Sequence, residues 1–202
     1  MPATAAITRR FLLAAAAALT SVRAWAQPAR TRVRLETANG AIVVELADDK
    51  APITVANFLR YIDNRRMDGA VFYRASHAPG ASDVGFIEAG VKDPAKLYPP
   101  IAHESTTDTG LTHRDGTLSM ARFAPGTAAS DFSIICGEAS QMDADPKMPG
   151  ENLGYAAFGQ VIEGMDVVRA ILALPTGGPA LNPEMAGEML NPPVVIVSAR
   201  RA

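Results

Sequence analysis

The residues of this 202-residue chain that could do chemistry are three histidines, one cysteine, a handful of serines and one arginine set at the end of an apolar run. Imidazole binds metals and moves protons, and its densest grouping is His103-Glu104 with His113. The spacing is not H-E-x-x-H, which puts two imidazoles on one helical face. Asp115-Gly116, just after His113, is turn chemistry, so no metal centre is expected. Cys136 ends the apolar run Ile134-Ile135 and reads as a buried, inert thiol. One cysteine allows neither an intramolecular disulfide nor a C-x-x-C pair. Ser119 and Ser130 lack the strand-turn-helix context of a nucleophile elbow, which argues against a hydrolase. Arg74 follows Val71-Phe72-Tyr73; taken alone, it reads as an ordinary solvated or paired cation at a strand end. The 19 basic and 21 acidic residues are scattered and leave a charge of −2, which excludes a nucleic-acid polyanion as the main ligand.

The elements that must position these residues fall into two unlike segments. Residues 1–26 contain no acid, carry Arg9, Arg10 and Arg23, and run apolar from Phe11 to Leu19. A nine-residue run is too short to span a bilayer but matches the core of a secretory signal, with Ala24-Trp25-Ala26 as its cleavage site. Thr8-Arg9-Arg10 ahead of Phe11-Leu12-Leu13 also resembles a twin-arginine address, and both export routes stay open. The expected mature chain is therefore periplasmic or otherwise exported, without stable membrane insertion. Cleavage removes three basic residues and no acidic one, leaving a charge of −5 and no tryptophan. Residues 27–31 are a short linker, and 32–202 are one domain by length.

In that domain Val33, Leu35 and then Ile42, Val44, Leu46 alternate around Asn39-Gly40, a strong hairpin signal. Pro52 begins a helix whose Val55, Phe58, Leu59 and Ile62 share one face, and Asp63-Asn64 ends it. Further strands are expected at 71–73, 117–120, 132–135, 158–161 and 194–197, with a second helix over 165–172 whose Val168, Ile171 and Leu172 point inward. Phe58, Phe132 and Phe158 read as core. Stretches 75–85, 139–154 and 175–193, rich in Gly, Pro, Ser, Asp and Asn, read as loops. Many short strands with two helices indicate a mainly β barrel or sandwich with helical plugs.

Ala51-Pro52-Ile53-Thr54-Val55-Ala56-Asn57-Phe58-Leu59, followed by Asp68-Gly69-Ala70-Val71-Phe72-Tyr73-Arg74, is similar to the opening signature of the cyclophilin-type peptidyl-prolyl isomerases. The segments 116–122, 129–134 and 158–168 match later landmarks of that family in order. The resemblance implies a closed eight-stranded antiparallel β-barrel capped by two helices. It also implies catalysis of rotation about X–Pro bonds in unfolded or extended polypeptides without a cofactor; a monomer is expected, since the sequence shows no heptad run or large apolar helix face. The alternative it leaves is a cyclophilin-fold module that holds proline segments, chaperone-like, without turnover.

Rotation about an X–Pro bond involves no nucleophile and no transferred proton. Resonance sets a barrier of ~18–20 kcal/mol, and a catalyst must favour the twisted state, whose prolyl nitrogen gains a lone pair. The resemblance places Arg74 at that nitrogen. It makes Phe86 an apolar wall, Ala121 and Arg122 the backbone groups that grip the peptide, and Met142 and Tyr155 the far side of a proline slot. Four positions depart from the family pattern, Gln141 at the rim and three within the site. Asp131 stands where glutamine is usual, Glu88 opens an Ala89-Gly90 segment where Gln-Gly-Gly is usual, and Ser133 replaces a phenylalanine that floors the slot. A carboxylate at Glu88 or Asp131 would orient Arg74 by an ion pair and could also compete with substrate for it. Gln141, where an aromatic is often found, implies weak binding of cyclosporin-like ligands.

Overall fold

The computed structural model describes residues 30–148 and 152–202, so the expected export segment over 1–26 lies outside the described residues. Eight antiparallel strands close a barrel: β1 (Arg32–Thr37), β2 (Gly40–Leu46), β3 (Val71–His77), β4 (Gly85–Gly90), β5 (Thr117–Met120), β6 (Phe132–Cys136), β7 (Ala156–Glu163) and β8 (Met189–Arg201). Their order around the barrel is β1-β2-β7-β5-β6-β4-β3-β8. Closure removes both free edges, so none of these eight strands is a sheet edge.

The opening hairpin pairs Val33 with Val44 and Leu35 with Ile42, which turns the alternating apolar residues into the core. Gly40, at φ +129°, makes the turn, and a side chain there would press on Val167. Helix α1 (Pro52–Asp63) buries Val55, Phe58, Leu59 and Ile62 as their spacing predicts, and adds Tyr61. Phe58 packs its ring 5.3 Å from those of both Phe132 and Phe158, plugging one barrel end. Ala51 has no side chain to cap α1. Its first N–H groups, from Ile53 and Thr54, donate instead to the Glu104 carboxylate at 3.0 and 2.7 Å.

A one-turn helix, α2 (Thr106–Thr109), is an addition to the two helices expected; four residues carry too little periodicity to register in a sequence. Helix α3 (Met165–Leu172) buries Val168, Ile171 and Leu172 and plugs the other end. Among the described residues no helix is long and apolar enough to cross a membrane.

Two departures from the expected strand plan shape the site. β4 carries no strand signal in the sequence, because its buried Glu88 interrupts the apolar alternation and glycines bound it. β8 is 13 residues long rather than four; the Pro192-Pro193 pair hides its first half, yet Met189 pairs with Arg74 and Val195 with Val71. The supposed loop 75–85 accordingly shrinks, with residues 75–77 continuing β3. The loop at 139–154 holds a 3-10 turn over 140–142, and the one from 175 gives way at residue 189 to strand.

Candidate active site

Sheet register builds the site. Arg74 on β3 lies opposite Glu88 on β4, Glu88 opposite Ser133 on β6, and Ser133 opposite Ser119 on β5. Cross-strand partners share a face, so four polar side chains form one row on the outside of the barrel. The flanking residues Ile87, Ala89, Ile134 and Phe132 point to the core. A bulge between Phe72 and Arg74 shifts the β3 register here.

Above this row is a cavity of about 580 Å³. All nine residues singled out from the sequence line it: Arg74, Phe86, Glu88, Ala121, Arg122, Asp131, Ser133, Met142 and Tyr155. They come from β3, β4 and β6 and from the loops after β5 and β6, which only barrel closure brings together.

Arg74 is clamped by two carboxylates. Its Nη1 donates to Glu88 Oε2 at 2.9 Å, and its Nε and Nη2 reach Glu188 Oε2 at 2.7 and 2.6 Å. Glu188 Oε1 also accepts from Ser76 Oγ at 2.8 Å, so its carboxylate is itself fixed. Burial alone would lower the guanidinium pKa, but Glu188 and Glu88 outweigh it and raise the value, keeping the cation charged. Three of the five guanidinium N–H donors are committed, leaving one on each terminal nitrogen. The ring of Phe86 lies 5.0 Å from the guanidinium carbon. Glu188 escaped the sequence reading because it lies 114 residues away in a Gly-Pro-rich stretch, with no local signal.

Of the two carboxylates expected to orient Arg74, Glu88 forms the ion pair. Asp131 instead accepts from Ser130 Oγ at 2.8 Å and stands 2.9 Å from Tyr73 Oη. Tyr73 Oη is also 2.7 Å from Glu88 Oε1, so one phenolic proton serves two carboxylates. Burial, then the charges of Glu88 and Asp131, push the Tyr73 pKa far upward, and the phenol stays protonated. Lys92 Nζ sits 3.1 Å from the centre of the Tyr73 ring and 4.0 Å from Asp131 Oδ1. Burial lowers the Lys92 pKa against the pull of Asp131 and Glu88. Tyr73, like Glu188, is a site residue that sequence reasoning missed.

On the opposite wall, Arg122 Nε donates to Gly154 O at 2.9 Å and its guanidinium lies 5.2 Å from the Tyr155 ring centre. Its side chain thereby joins the loop after β5 to the segment before β7. Two of the three histidines are held in contacts around the cavity. His103 Nε2 meets Leu153 O at 3.0 Å, while buried His113 joins Asp143 and Ser119 beneath the cavity. Cys136 is fully buried, and burial raises its thiol to about 11.

The family model described as cyclophilin type peptidyl-prolyl cis-trans isomerase/CLD matches residues 32–201. A peptidyl-prolyl cis-trans isomerase of Acinetobacter baylyi is 38% identical over 149 residues, covering 73% of this chain and 75% of its own. Peptidyl-prolyl cis-trans isomerase cyp18 of Streptomyces antibioticus is 36% identical over 173 residues, covering 83% and 96%. Peptidyl-prolyl cis-trans isomerase B of Escherichia coli is 36% identical over 161 residues, covering 77% and 93%. Among solved structures, a Cryptosporidium parvum cyclophilin crystallised in the presence of the dipeptide Ala-Pro superposes with a TM-score of 0.65 at 20% identity. It covers 85% of this chain and 98% of its own. The chain belongs to the cyclophilin-type peptidyl-prolyl cis-trans isomerases. Its activity is rotation about X–Pro peptide bonds, and the closed eight-stranded barrel expected from the resemblance is the one observed.

Proposed function

We propose that Arg74 is the catalytic group and that the 580 Å³ cavity holds an extended proline-containing polypeptide. The observation that carries this is a charged guanidinium, fixed by Glu88 and Glu188, with two N–H donors still available at the cavity wall. In the twisted amide the prolyl nitrogen gains a lone pair that the planar amide lacks. A donor aimed there binds the transition state better than either ground state. One charge-assisted hydrogen bond contributes ~1.5–3 kcal/mol, or roughly 10- to 100-fold. The remainder must come from the cavity holding the peptide part-twisted. Phe86, Met142 and Tyr155 grip the ring, the backbone of Ala121 and Arg122 aligns the chain, and Asp131 accepts from a substrate N–H. The Ala-Pro present with the Cryptosporidium cyclophilin supports this class of ligand.

The test is a chymotrypsin-coupled cis/trans assay on the purified protein. Arg74→Ala is expected to lower kcat/KM by roughly 10- to 100-fold with the fold intact by circular dichroism. Unchanged activity in that variant would overturn the assignment.

We also infer that the chain is exported to the periplasm or beyond. The support is the acid-free, arginine-bearing segment before Gln27 with its nine-residue apolar run. N-terminal sequencing of the protein from the periplasmic fraction should begin at Gln27. Recovery of the full chain from the cytoplasm would refute export.

A further inference from the structure

Ser119 and Ser133 face each other across β5 and β6 and both line the cavity, yet their hydroxyls are in different states. Directly opposed residues have Cβ atoms about 4.5–5.5 Å apart, so the two hydroxyls are neighbours at the cavity base. Ser119 Oγ lies 2.8 Å from His113 Nε2, and His113 Nδ1 lies 2.6 Å from Asp143 Oδ1. The backbone N–H of His113 donates to that same carboxylate oxygen at 2.9 Å. A carboxylate only accepts, so the ring proton sits on Nδ1 and Nε2 carries a lone pair. Burial, opposed by Asp143, holds the His113 pKa below its ordinary value and the ring neutral. Ser119 therefore donates its proton to His113, away from the cavity, and turns an acceptor oxygen toward it.

Ser133 differs. Only 5% exposed, its hydroxyl has no hydrogen-bond partner among the described residues, and it is free both to donate and to accept. The base of the cavity thus offers one acceptor and one unassigned hydroxyl side by side. A bare hydrocarbon ring seated there would leave the Ser133 hydroxyl shut away from water and unpaired, a costly state. On a proline ring, a hydroxyl is the small group that can donate to Ser119 and accept from Ser133 at a single atom.

We propose that the Ser119–Ser133 pair is a hydroxyl-recognition subsite and that this isomerase favours X–Pro bonds whose proline ring carries a hydroxyl. This rests on the cavity being the seat of the proline ring. His113 and Asp143 act as positioning residues that set the direction of the Ser119 proton. A site built to pair a hydroxyl discriminates against the analogue that lacks it.

The experiment measures exchange by two-dimensional NMR for an Ala-Ala-Pro-Phe peptide and its 4R and 4S hydroxyproline counterparts, with the full chain and each rate normalised to its uncatalysed value. One hydroxyproline isomer is expected to show about three- to tenfold higher kcat/KM than the proline peptide. In Ser133→Ala, a change too small to disturb the strand, that ratio should fall to about one. A wild-type ratio at or below one, or a preference that persists in Ser133→Ala, overturns the subsite and leaves the isomerase reading of the cavity standing. No acceleration of any of the three peptides overturns both.

Discussion

Removing Glu188 separates two opposed roles for the carboxylates around Arg74. A carboxylate beside the guanidinium can aim it, or it can compete with the substrate for its donors. Glu188 engages Nε and Nη2 at 2.7 and 2.6 Å, and Glu88 engages Nη1 at 2.9 Å. With three of five N–H groups used, two remain for substrate, so competition is not limiting and aim should dominate. Glu188→Ala leaves Arg74 held at one end only, with its long side chain free to sample other rotamers. Re-immobilising such a side chain costs ~0.5–1.5 kcal/mol, which corresponds to roughly a two- to twelvefold loss in kcat/KM. Glu188→Gln, which keeps an acceptor and loses the charge, should fall between Glu188→Ala and the native enzyme. The Arg74→Ala loss should exceed both. The assay is the protease-coupled peptide reaction, checked by NMR exchange so that the coupling enzyme does not set the rate. A rise in kcat/KM for Glu188→Ala would mean that the carboxylate competes with the substrate, and the positioning argument would fail.

Three further outcomes follow from packing and titration. A Cβ at Gly90 would stand 2.2 Å from Asp131 Oδ1, whose carboxylate is already held by Ser130 and Tyr73. Gly90→Ala should therefore displace Asp131 and cost about 1–3 kcal/mol in thermal unfolding; an unchanged Tm would contradict the clash. The His113 pKa is depressed by burial from its ordinary 6.5, so below that pH the unfolded chain binds the proton more readily than the fold does. Stability contributed by neutral His113 is thus full above about pH 6.5 and lost as pH falls, and His113→Gln should flatten this part of the stability profile. Cys136, fully buried with its thiol raised to about 11, should resist a disulfide reagent at pH 8 until the protein is unfolded; rapid native labelling would disprove its burial.

Local pattern determined much of this protein. The 3.6-residue spacing of Val55, Phe58, Leu59 and Ile62 and the alternation around Asn39-Gly40 are properties of neighbouring residues, and the structure reproduces them. Arg74, Ala121, Arg122, Asp131 and Ser133 lie inside the five ordered segments similar to cyclophilins, and Phe86, Glu88, Met142 and Tyr155 lie between them, so the likeness reaches all nine lining residues through the order of the segments. Strand β4 and the first half of β8 were illegible for local reasons: a buried Glu88 breaks the apolar alternation, and Pro192-Pro193 mimics a loop. Only closure of the barrel decided the rest. It sets β3 against β8 so that Glu188 reaches Arg74 across 114 residues, and seats Tyr73 between Glu88 and Asp131. It also turns His113 from a turn-side histidine into the base under Ser119. Each of these is a contact between hydrogen-bonding groups far apart in the chain. Their pairing depends on strand register and on desolvation, which no spacing within one segment records.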